Sequence, residues 1–192
     1  MDLYKKEFEK GKPELFIRRK LHNLKILELL NPQKKDRILD IGCGDGALVK
    51  FLRSFSDFVI GIDINKDLIE NSNIQGLKAM PAEKLEFENN FFDKIVSAHT
   101  IEHILDLKKT FSEIKRVLKK NGICVLIYPL EIFKGSNIIL HAWLVYGNPF
   151  LASKLHTHKL NNQKVKNFTD LKILKKGIFF GPFPTYYTVL KK

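Results

Sequence analysis

The stretch "RILDIGCGDGALVKFL" (residues 37–52) limits the fold more than any other part of the chain. An apolar run meets glycines at 42, 44 and 46, and an apolar, helix-like pattern resumes beyond them. Without Cβ atoms the backbone can turn sharply and a ligand can approach it closely. A helix starting just after the loop would present free N–H groups and a positive dipole end. A second apolar run, "FVIGID" (58–63), follows after a turn. Strand, loop, helix and strand make a βαβ unit, and runs this continuously apolar suit a parallel sheet covered on both faces.

The alternation continues. "LKAM" (77–80) and "KIVSA" (94–98) read as strands, with a helix near 67–73 between the second and third strands. In "DLKKTFSEIKRVLKKNG" the residues Leu107, Phe111, Ile114, Val117 and Leu118 share a helical face, and Asn121-Gly122 reads as the helix stop. "ICVLIY", "GIFFG" and "TYYTVLKK" supply the remaining strands, and residues 14–30 form a leading helix that ends at Asn31-Pro32. The pattern predicts a Rossmann-like α/β fold: a doubly wound, mostly parallel seven-stranded sheet with helices on both faces and the last strand antiparallel. At 192 residues one domain spanning 1–192 is expected, with leading helices over 1–36. Residues 130–170 break the alternation with "NIILHAWLVYGNPFLASKLHTHKL", an apolar, aromatic, histidine-bearing segment read as a substrate-recognition insert.

The net charge of +12 raises nucleic acid or an anionic membrane as partner. Most of that charge is lysine spread along the chain, whereas the fork of arginine usually dominates phosphate and base recognition, so a solvated lysine surface is favoured. Two cysteines with no CxxC spacing point to reduced thiols. With neither the apolar core of a signal peptide nor a membrane-length apolar run, a cytoplasmic protein is expected.

By itself "GCGDGA" also satisfies the dinucleotide pattern G-x-G-x-x-G/A, and Asp63, 21 residues after Gly42, is placed to accept hydrogen bonds from ribose hydroxyls. Both a nicotinamide dinucleotide and S-adenosylmethionine remain open on that evidence. The wording around the loop separates them. "ILDIGCGDG" resembles the first motif of class I S-adenosylmethionine-dependent methyltransferases, and "AEKLEFENNFFDKIVSAHTIEHILDLKKTFSEIKRVLKKNGICVLIYP" is similar to their small-molecule, type 11-like subgroup. The resemblance covers residues 37–128.

The resemblance implies that Asp40, Gly42, Gly44 and Gly46 border the methionine part of the cofactor and that Asp63 binds its ribose. Adenine would fall to Ile64, Ala82 and Glu83. Pro81 stands where the subgroup carries an aspartate, which shifts adenine recognition onto those neighbours. The implied activity is methyl transfer to a small-molecule or lipid-like acceptor of hydrophobic character. A tRNA or rRNA methyltransferase, supported by charge alone, and a catalytically silent binding protein are the alternatives. The sequence leaves the oligomeric state open.

The sulfonium of such a cofactor carries its own leaving group, so the protein mainly has to align a nucleophile and exclude water. Where the acceptor needs a base, histidine suits neutral pH. His99, directly after the fourth strand, is the catalytic candidate. His103, His156 and His158 are substrate candidates, and Glu102 reads as a charge at a helix start. His156 and His158 would share a side if extended, but with no third ligand near in sequence no metal site is expected.

Overall fold

The computed structural model describes residues 13–131, 156–180 and 184–192. Helix α1 spans Pro13–Leu30, β1 Arg37–Ile41, α2 Ala47–Leu52, β2 Phe58–Asp63, α3 Lys66–Glu70 and β3 Leu77–Ala79. They are followed by β4 Phe92–Ala98, α4 Leu107–Val117, β5 Leu118–Pro129, a 3-10 turn Lys164–Asn167, β6 Lys172–Phe179 and β7 Thr185–Lys191. The seven strands form one sheet in the order β3-β2-β1-β4-β5-β7-β6. Strands β1 to β5 run parallel, and β7 is antiparallel to both β5 and β6.

The double covering of the sheet follows from the strand period of two. Along β1, Leu39 and Ile41 enter a core closed by the α4 residues Phe111, Ile114 and Val117. Ile38, one residue out of phase with them, enters the opposite core with Ile26 and Leu30 of α1 and Val49 and Leu52 of α2. Strand β5 repeats the division: Cys124, Leu126 and Tyr128 face one core, Val125 and Ile127 the other. Every second residue of an apolar strand thus meets a helix, which is why these strands read as continuous apolar runs.

Two expectations shift. Helix α4 ends at Val117 and the chain passes straight into β5 at Leu118, which pairs with Phe92. Leu118 is fully buried there, in the same core cluster as Phe92. Asn121-Gly122 therefore lies within the strand, where Asn121 takes φ 66° and the register slips between Phe92 and Lys94. Strand β6 also begins at Lys172, earlier than "GIFFG" suggests. Its Lys172, Lys175 and Lys176 are exposed on the sheet edge, where lysine discourages pairing with another chain. Residues 1–12 and most of the 130–170 segment lie outside the described residues.

One arginine fixes a wall of the later site. Arg116 donates to both carboxylate oxygens of Glu113, to Leu85 O, to Phe87 O and to Asn89 Oδ1, at 2.7–3.0 Å. Glu113 in turn accepts from Leu85 N at 2.7 Å. The loop after β3 is thereby stapled to α4. Replacing Arg116 with alanine leaves two part-buried carbonyls and a carboxylate short of donors, and should lower the unfolding free energy by about 1–3 kcal/mol. Urea denaturation of Arg116→Ala measures this, and an unchanged midpoint would refute the staple.

Candidate active site

The carboxyl ends of β1, β2 and β4 converge on one cleft, the place where open α/β sheets bind ligands. Its walls include Ile41 and Gly42 from the end of β1, Asp63 and Ile64 from β2, Met80, Ala82 and Glu83 from the stapled loop, and Thr100, His103 and Leu105 from beyond β4. Ile64 and Leu105 are 78% and 79% exposed, so the mouth carries unburied apolar side chains suited to a flat ring.

The glycine loop is held by backbone bonds. Gly42 N and Cys43 N both donate to Ile62 O, at 2.8 and 2.9 Å. Gly42 has φ 77°, and a Cβ there would lie 2.0 Å from Thr100 Oγ1. Only glycine permits this approach of the β1 and β4 ends. Asp63 accepts from Gly44 N at 2.9 Å through Oδ2 and from Asn65 N at 2.8 Å through Oδ1. Each oxygen keeps a lone pair for a hydroxyl donor in the cleft.

Three aspartates surround the loop. Asp45 Oδ1 accepts from Ala47 N at 3.1 Å, so a carboxylate of the chain itself occupies the start of the six-residue α2. Asp40 is 2% exposed and its Oδ2 has no hydrogen-bond partner among the described residues. Burial, reinforced by the charges of Asp63 and Asp45, pushes its carboxyl up to about 8. A pyrophosphate would meet this acidic ring unfavourably, whereas a group bearing an ammonium and a sulfonium would be attracted by it. Of the two ligands the glycine spacing alone allowed, the acids around the loop favour the cationic one.

The sequence candidates fall into three groups. Gly42, Asp63, Ile64, Ala82, Glu83 and His103 line the cleft, and Asp40, Gly44 and Gly46 lie in or beside the loop that borders it. His99 is placed otherwise: its ring stands 4.9 Å from that of His22, and Nδ1 is 3.7 Å from Glu102 Oε1. His156 and His158 diverge, the first bonding Glu131 Oε1 at 2.7 Å through Nδ1, the second approaching Leu105 O at 3.4 Å. Glu102 and His103 sit in a turn before α4, not at its start, which Asp106 caps by accepting from Lys109 N. The sequence offered no direct sign of Thr100 or Met80 as walls, or of His22 under His99.

The raised carboxyl of Asp40 has a consequence for stability. Between pH about 4 and 8 the unfolded chain ionises this group while the native chain keeps its proton, so its contribution to stability falls as pH rises through that window. Asp40→Asn removes this dependence. The difference in unfolding free energy between variant and wild type should move in favour of the variant from pH 5 to pH 8. Parallel denaturation profiles would show that Asp40 ionises normally.

Comparison with known proteins agrees with the geometry. A family profile described as a methyltransferase domain matches residues 39–126. An uncharacterized protein of Methanocaldococcus jannaschii is 32% identical over 123 residues, covering 62% of this chain and 45% of its own length. A ubiquinone biosynthesis O-methyltransferase of Pelagibacter ubique is 30% identical over 168 residues, covering 80% of this chain and 70% of its own. The matched part of the chain thus spans less than half of the first relative and about two thirds of the second. In fold, a putative S-adenosylmethionine-dependent methyltransferase of Methanococcus maripaludis superposes with a TM-score of 0.64 at 21% identity, over 90% of this chain and 84% of that one. S-adenosyl-L-methionine is the cofactor these likenesses indicate, and the buried Asp40 Oδ2, which has no partner among the described residues, and the Cβ-free turn at Gly42 fit it. The chain belongs to the class I S-adenosylmethionine-dependent methyltransferases of the type 11 kind.

Proposed function

We propose that this protein transfers a methyl group from S-adenosylmethionine to a small-molecule acceptor of hydrophobic character. The observation that carries the reading is the buried Asp40 Oδ2, without a partner among the described residues, beside a turn whose positive φ and close contact with Thr100 call for Gly42. Bound S-adenosylmethionine supplies an electrophilic methyl on a sulfonium that is its own leaving group. Asp40, giving up its proton as the cationic methionine end binds, would neutralise that end, and Asp63 would accept from the ribose hydroxyls while keeping Gly44 N in place. Ile64 and the loop from Met80 to Glu83 would enclose the adenine, with Arg116 holding that loop to α4.

Thr100, packed against Gly42, and His103 line the cleft from beyond β4 and would meet the acceptor. His99, behind them, would act through Glu102 and not by direct contact. The hydrophobic acceptor is supported by the exposed Ile64 and Leu105 at the mouth, by the apolar sequence between 130 and 155, and by a quinone-pathway name on one relative. Among the described residues no helix is long and apolar enough to cross a membrane.

Isothermal titration with S-adenosylhomocysteine tests the cofactor assignment. Asp63→Ala should weaken binding by about tenfold or more, equal to about 1.4 kcal/mol, and unchanged affinity would contradict the ribose assignment. For the acceptor, incubation with methyl-labelled cofactor and cell extract should place the label in the solvent-extractable fraction. Label confined to RNA would overturn the small-molecule reading.

A further inference from the structure

Beside the cleft lies a cluster that cofactor binding does not use. Glu102 is 1% exposed, with Oε2 lacking any hydrogen-bond partner among the described residues. His156 is 3% exposed and packs edge-on against His103, ring centroids 4.8 Å apart. One ligand atom from each of Glu102, His103 and His156 lies within 4.8 Å of the other two. The backbone holds this arrangement from both sides. Thr157 N and His158 N donate to Glu102 O at 2.8 and 2.9 Å, and Thr157 Oγ1 donates to His103 O at 3.1 Å.

We infer that Glu102, His103 and His156 form a site for a divalent first-row transition cation at the acceptor side of the cleft. Two imidazoles and one carboxylate are a donor set suited to Zn²⁺, Mn²⁺ or Fe²⁺. The bond from His156 Nδ1 to buried Glu131 fixes the ring and leaves Nε2 for the ion, the carboxylate–histidine support typical of metal sites. A buried carboxylate oxygen without a donor is costly, and a cation offsets that cost. Since His103 also lines the cleft, positions left open on the ion would be accessible to the acceptor. The chemical class that fills them is an oxygen ligand, a carboxylate, which a cation orients, or a hydroxyl, which it both orients and makes more acidic. That use of the ion rests on the methyl-transfer reading; its binding does not.

The test is titration of the untagged, chelator-stripped full chain with ZnCl₂ and, separately, MnCl₂, followed by calorimetry and, for zinc, X-ray absorption. One equivalent should bind through nitrogen and oxygen with no sulfur in the first coordination sphere. His103→Ala and Glu102→Gln should each weaken binding by about tenfold or more, and Glu131→Gln, one step removed, by about tenfold, whereas His158→Ala should leave it unchanged. Circular dichroism establishes that each variant is folded. Absence of saturable binding by folded wild type, sulfur ligation, or affinity indifferent to Glu102 and His103 would overturn the site and leave an ordinary buried hydrogen-bond network. Titration of the same wild-type sample with S-adenosylhomocysteine separates the two readings: zinc binding without cofactor binding keeps this site and removes the methyltransferase.

Discussion

Everything at the cleft depends on how closely the ends of β1 and β4 approach at Gly42. The turn there spends two successive N–H groups on one carbonyl, Ile62 O, and sets its Cα where any side chain would collide with Thr100. That contact ties three neighbouring strand ends into a single rim. It also fixes the distance between the aspartate that precedes the turn, Asp40, and the aspartate that ends β2, Asp63. A loop with side chains would separate these strands and open the cleft to water.

The electrostatic character of the rim is set by the same geometry. Three aspartates converge on a loop whose glycines, taken alone, would equally serve a phosphate. Their mutual repulsion, and the burial of Asp40, make the loop a poor place for an anion and a favourable one for a cation. The pattern of three glycines is therefore less informative than the acids around it. A fold of this type hosts many reactions, so the case for methyl transfer rests on the acids, the turn and the relatives together.

Much of this was legible in the sequence, because apolar runs and glycines report backbone constraints that act locally. The seven strands and both covered faces of the sheet follow from apolar periodicity, whereas the cofactor roles expected of Asp40, Gly42 and Asp63 came with the family resemblance; the structure brings these three residues to one cleft or its bordering loop. Where reading failed, tertiary contacts outweighed local signals. Asn121-Gly122 has the chemistry of a helix stop, yet pairing of Leu118 with Phe92 draws the chain into a strand first. The lysines of β6 hide a strand that only an edge position tolerates. His156 and His158 suggest a pair by spacing, but Glu131 and the turn at 102–103, remote in sequence, part them and bring His156 to His103. No spacing rule connects residues that are 53 apart.

The most direct measurement is a crystal structure of the full chain with S-adenosylhomocysteine. The account predicts the amino group of the methionine moiety within hydrogen-bond distance of Asp40 or the adjoining loop, the ribose hydroxyls on Asp63, and the sulfur directed toward Thr100 and His103. A ligand whose ribose lies away from Asp63, or whose sulfur faces away from the His103 wall, would contradict it.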